Sequence, residues 1–138
     1  MALLEIRGLS TVIATRRGPL RAVEDVSLSV GPGECLGIVG ESGSGKSVTC
    51  RSLLGLLPDG ARVTGEARFD GTDLLALSEA QRTRFRGREI AMIVQDAVSA
   101  LNPVRRIGDQ IAETMLEHGT VGSRAAARAR TLELMRKV

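Results

Sequence analysis

The sequence predicts an α/β fold in which an antiparallel β layer leads into a strand, a glycine-rich loop and a helix. Three observations predict it. Gly40-Glu41-Ser42-Gly43-Ser44-Gly45-Lys46-Ser47 fits G-x-x-x-x-G-K-[ST] at every fixed position, between the apolar run Cys35–Val39 and a helical pattern from Val48 to Leu57. A second apolar run, Ile90-Ala91-Met92-Ile93-Val94, reads as another fully buried strand, parallel to the first. Ahead of both, residues 3–30 alternate apolar and polar side chains, as half-exposed antiparallel strands do.

In chain order, Leu3 to Arg7 reads as a first strand and Leu9 to Thr15 as a second, which runs into an Arg16-Arg17-Gly18-Pro19 turn. Ala22 to Val30 alternates, with Val26, Leu28 and Val30 on one side. Gly31-Pro32-Gly33-Glu34 turns the chain into the strand at Cys35–Val39, and Pro58-Asp59-Gly60 ends the helix that follows the loop. Val63 to Phe69 reads as a strand closing on the turn signal Asp70-Gly71. Ser78, with Gln81 three residues on, has the capping-box arrangement of a helix start. After the run at Ile90–Val94 come Gln95-Asp96, polar residues at the carboxyl end of a buried strand, where α/β folds place ligands. Leu101-Asn102-Pro103 turns into an amphipathic helix over Ile107–His118, and Ser123–Val138 reads as a last helix.

Composition narrows the classes. Aromatics are 1% of the chain, Phe69 and Phe85 alone, so the core is built from Leu, Val, Ile and Ala. The net charge of +3 is mild. Arg82, Arg84, Arg86 and Arg88 fall at spacing two, spread around a helix, with no aromatic stacking platform near them. That pattern is a solvated surface rather than a nucleic-acid site. Cys35 and Cys50 flank the loop without metal or pairing spacing and read as small buried hydrophobes. The N-terminus lacks the apolar core of a signal peptide, and no apolar run reaches the roughly 20 residues that span a bilayer, which predicts a cytoplasmic chain.

The loop's residue types suit a triphosphate. Gly43 and Gly45 admit positive φ and close backbone approach. Amides of Gly43 to Ser47 then converge on phosphate oxygens at a helix N-terminus, with Lys46 on the β- and γ-phosphates and the Ser47 hydroxyl on Mg²⁺. Residues Gly40 to Val48 form the expected ATP site.

The order strand, Gly-Glu-Ser-Gly-Ser-Gly-Lys-Ser, helix, then Ile90 to Asp96, then Ser99-Ala100-Leu101-Asn102-Pro103, resembles the ATP-binding subunits of ABC transporters. It is most similar to the dipeptide, oligopeptide and nickel importer branch. The resemblance implies a P-loop core of ABC type over 1–97, with an antiparallel β layer, and a helical subdomain over 98–138. It also implies that Gln95 is the Q-loop glutamine, contacting Mg²⁺ and the attacking water. The implied partners are a second ATPase subunit and transmembrane permease subunits, on which the chain sits at the inner face of the cell membrane. Two positions depart from the pattern. The early strands offer Val12 and Ile13, and no aromatic ring, to an adenine base, and Ala97 stands where the branch has proline.

The family's signature, its Walker B aspartate with the catalytic glutamate, and its switch histidine are not found here. His118, the single histidine, reads as a helix-end residue. The chain is thus expected to be an N-terminal half that ends within the helical subdomain, binds Mg·ATP, and turns it over poorly by itself. A second reading stays open: a non-catalytic nucleotide-binding or interaction module that pairs with a full-length subunit.

Overall fold

The computed structural model describes residues 2–96 and 100–138, so the expectations for Ala97 and Ser99 lie outside the described residues. The chain forms two compact units, Met1–Thr83 and Arg84–Val138.

The first unit is a four-stranded antiparallel sheet with one helix. Its strands are β1 (Leu4–Thr15), β2 (Gly18–Val30), β3 (Arg62–Phe69) and β4 (Thr72–Asp73), in the spatial order β2-β1-β3-β4. The two segments predicted as separate strands before residue 15 are one continuous strand, β1. It carries an irregularity where its register shifts between Ile6 and Leu9 against β2. Gly8 sits there at φ 57°, and on the partner strand Asp25 takes φ 49°. The extra residue of a bulge reverses the inward–outward parity of the strand. That is why Ile6 and then Leu9 and Thr11 are all buried, which simple alternation forbids. Arg16-Arg17 makes the β1–β2 turn, with the Thr15 hydroxyl donating to the Gly18 carbonyl at 2.6 Å. Asp70 and Gly71, at φ 45° and 79°, make the two-residue β3–β4 turn that their sequence announces.

Helix α1 (Lys46–Leu54) stops at Gly55, whose left-handed φ of 63° returns its amide to the carbonyls of Arg51 and Ser52. Its buried residues are Thr49, Ser52 and Leu54. Ser52 Oγ lies 2.8 Å from Thr11 Oγ1 of β1, a fully buried pair. Ser52 also donates to the Val48 carbonyl at 2.7 Å, so the helix meets the sheet through satisfied hydroxyls as well as apolar contact. Helix α2 (Glu79–Phe85) opens on the predicted capping box. The Ser78 amide donates to Gln81 Oε1 at 2.9 Å, and the Gln81 amide to Ser78 Oγ at 3.4 Å.

In the second unit, helices α3 (Ile107–Glu117) and α4 (Arg124–Arg136) pack together. Gln110 holds the Leu-Asn-Pro turn, donating to the carbonyls of Asn102 at 3.0 Å and Arg105 at 3.1 Å and accepting from the Asn102 amide at 2.9 Å. Ser123 caps α4, accepting from the Ala126 amide, and His118 ends α3 as expected. Arg130 and Lys137 beside Glu133 hold its carboxyl below the usual 4.5. No helix of the described residues is long and apolar enough to cross a membrane.

Three expectations are corrected. Cys35–Val39 is an irregular exposed segment, with Val39 94% exposed. Ile90–Val94 makes only one isolated bridge, Arg86 to Ile90, and Ile93 is 97% exposed. A buried strand exists through lateral hydrogen bonds and cover on both faces. Among the described residues neither run has flanking strands, so apolar composition alone does not make it a strand. Cys35 and Cys50 are exposed for a related reason: one lies on the uncovered run, the other on the outer side of α1.

Exposed β-branched runs of this kind promote self-association. The purified 138-residue chain is expected to bind a hydrophobic dye and to sediment as concentration-dependent oligomers. A chain that binds no dye and stays monomeric at every concentration would contradict this.

Candidate functional site

The loop between Gly40 and Ser47 is closed by its own lysine. The Lys46 ammonium donates to the carbonyl oxygens of Gly40 and Glu41, both at 2.7 Å, and to Ser44 Oγ at 3.2 Å. These three acceptors match the three donors of an ammonium, so a charge on a half-buried side chain is fully satisfied. The Ser44 amide donates to the Glu41 carbonyl at 3.2 Å, tightening the same ring.

Glycine is required by both conformation and space at one place here. Gly45, the residue that begins α1, has φ 92°. A Cβ on it would stand 2.5 Å from the Ala22 carbonyl oxygen of β2. A Cβ on Gly40 would stand 2.8 Å from Ser44 Oγ. The loop is thus pressed against the β1–β2 hairpin on one side and folded on itself on the other. Gly43, at φ 84°, has open space around it, and its role is conformational only.

Helix α1 begins without a side-chain cap on its first amides. Instead, Thr49 turns inward, its amide donating to the Gly45 carbonyl at 2.8 Å and its hydroxyl to the same oxygen at 3.0 Å. The leading turn therefore presents N–H groups and the positive end of the helix dipole to whatever lies above the loop. Glu41, Ser42, Gly43, Ser44 and Ser47 are exposed, and Val48 is half-buried. Gln95, exposed, stands at a bend in the second unit.

The structure thus brings Gly40 through Val48 together in the loop and the first turn of α1. The contact of Gly45 with Ala22, and the Thr11–Ser52 pair that pins the helix behind it, were not foreseen. The only trace of them in the sequence is the placement of Thr49 and Ser52 one helical turn apart.

Comparison with known proteins adds to this geometry. A family model described as ABC transporter matches residues 23–138. The oligopeptide transport ATP-binding protein OppD of Mycobacterium tuberculosis is 45% identical over 133 residues, covering 96% of this chain and 22% of that protein. The dipeptide transport ATP-binding protein DppD of Lactococcus lactis is 46% identical over 136 residues, covering 98% of this chain and 39% of that protein. A probable peptide ABC transporter ATP-binding protein of Sinorhizobium fredii, y4tR, is 49% identical over 138 residues, covering 99% and 41%. The chain spans less than half the length of each. Among solved structures, a dimeric post-hydrolysis state of the ATP-binding cassette MJ0796 bound to ADP and Pi superposes with a TM-score of 0.78 at 21% identity. That superposition covers 96% of this chain and 56% of the cassette. It establishes an incomplete P-loop core with its antiparallel layer as the fold.

Proposed function

This chain belongs to the ABC transporter family, and from that premise we propose that it is the nucleotide-binding part of a subunit that powers import of peptides or nickel. The observation that supports this reading most is the closed loop itself, with Lys46 Nζ on the Gly40 and Glu41 carbonyls at 2.7 Å and an uncapped helix start beside it. Amides of Gly43 to Val48 bind the phosphates, and Lys46 transfers its ammonium from those carbonyls to the β- and γ-oxygens. Exposed Ser47 would hold Mg²⁺ through its hydroxyl, and the ion would shield the charge of the phosphates. Gln95 supplies an uncharged amide that accepts from metal or water and donates to phosphate.

The Ser47 hydroxyl offers a neutral oxygen, which suits Mg²⁺ already carrying phosphate ligands and water. In this reading the chain works at the inner face of the membrane, against permease subunits and a second ATP-binding subunit. Hydrolysis also requires a carboxylate to complete the metal site and position water.

Titration with a fluorescent ATP analogue tests the proposal. Magnesium is expected to tighten binding to the natural chain, and Ser47→Ala is expected to remove on the order of tenfold of that gain. A Ser47→Ala variant that keeps the whole magnesium effect would contradict the assigned metal contact.

A further inference from the structure

We propose that Arg82 is a positioning residue for the phosphate loop, acting from the far end of α1; the proposal rests on the nucleotide reading above and extends it. Arg82 belongs to α2 and lies against Gly55, the left-handed residue that ends α1. The approach is so close that a Cβ on Gly55 would stand 3.0 Å from Arg82 Cδ and 3.2 Å from Cζ. Its Nη2 donates to the Leu75 carbonyl at 3.1 Å. The guanidinium therefore sits where α1 presents the negative end of its dipole, while the same helix presents its positive end to the loop.

Helix α1 is consequently held at three heights. Gly45 abuts the Ala22 carbonyl at the start, Ser52 Oγ meets Thr11 Oγ1 at 2.8 Å near the middle, and Arg82 faces Gly55 at the end. Nine residues at about 1.5 Å rise make a rod of about 13 Å, and tilting one end moves the other. The Arg82 clamp has a cost, which argues that its position matters. Its Nε is buried and has no hydrogen-bond partner among the described residues. Arg82 also lines a cavity of about 330 Å³ beside Asp59, Pro58 and Ala61, so the fold leaves room around the guanidinium instead of filling it with a neutral side chain.

The position of α2 in the chain gives the clamp a further meaning. Its residues run from the first unit into the second, at the boundary between Thr83 and Arg84, and Gln95 lies further along that second unit. A pull on α2 is transmitted through Arg82 to the end of α1, and through the rod to the loop. Nucleotide affinity and the placement of α2 are thereby coupled.

The test compares Arg82→Ala, Arg82→Lys and Lys46→Ala by two readouts: affinity for a fluorescent ATP analogue with Mg²⁺, and amide hydrogen exchange over residues 43–49 without nucleotide. Arg82→Ala is expected to weaken binding roughly tenfold and to speed exchange in the loop selectively. Arg82→Lys, which keeps a cation at the helix end but loses the guanidinium's bond to the Leu75 carbonyl, is expected to recover only part of both. Natural affinity and natural loop exchange in Arg82→Ala would overturn the proposal, as would a rise in exchange spread evenly through the first unit. If Arg82→Ala does not fold, Arg82→Lys decides: a few-fold loss supports the clamp and natural affinity overturns it. Lys46→Ala separates the two levels. If it binds like the natural chain, the nucleotide reading fails, and the exchange readout, which needs no nucleotide, still judges the clamp.

Discussion

Lys46→Ala is expected to weaken Mg·ATP binding by about a hundredfold while leaving the melting behaviour of the chain nearly unchanged. The two halves of that expectation come from the same three hydrogen bonds. The ammonium rests on two carbonyls and a hydroxyl at 2.7, 2.7 and 3.2 Å, on a loop open to water. With the side chain gone, those acceptors turn to solvent, so folding loses about 1 kcal/mol or less. The triphosphate has no such replacement. A hydrogen bond to a charged group is worth about 1.5–3 kcal/mol, and its upper end corresponds to roughly a hundredfold in affinity. Calorimetric titration of the two proteins side by side checks it. Equal affinities would remove the phosphate site from this loop, and a large fall in melting temperature would mean that Lys46 is structural.

Gly45→Ala is expected to damage fold and site together, by about 3 kcal/mol or more. Two causes add. A φ of 92° is unfavourable for any residue with a Cβ, which costs about 1–2 kcal/mol. The new methyl would also stand 2.5 Å from the Ala22 carbonyl oxygen, a backbone atom of the hairpin that cannot step aside as a flexible side chain could. Gly43→Ala is the internal control. It has a similar φ of 84° but nothing near its Cβ, so only the conformational cost applies. Denaturant melts of both variants measure the difference. If the two are equally destabilised, the hairpin contact contributes nothing.

The site was more legible than the sheet around it. Gly40 to Ser47 is a local pattern, and Gly43 and Gly45 in it answer to backbone constraints that sequence spacing encodes. Turns were legible for the same reason: Asp70-Gly71 and the Ser78–Gln81 box form from their own residues. The apolar runs at Cys35–Val39 and Ile90–Val94 were misread because a strand is a property of its neighbours. A short apolar run announces readiness for pairing and says nothing about whether a partner is there. Leu3–Thr15 was split in two because a bulge at Gly8 mimics a break in alternation. The bond between Thr11 and Ser52 joins residues 41 apart, and no window on the sequence contains both ends.

The reversal at Gly8 has a consequence for how this chain can change length. Up to that point the pattern runs on one phase, with Ile6 inward and Glu5 and Arg7 outward. Beyond it the opposite phase puts Leu9 and Thr11 inward. Losing the glycine would cancel the reversal, and one half of the strand would have to send its charged residues into the buried side of the sheet. A deletion of one small, featureless residue there would thus act as a burial of Glu5 and Arg7, whereas trimming the Arg16-Arg17 tip would leave the phase untouched.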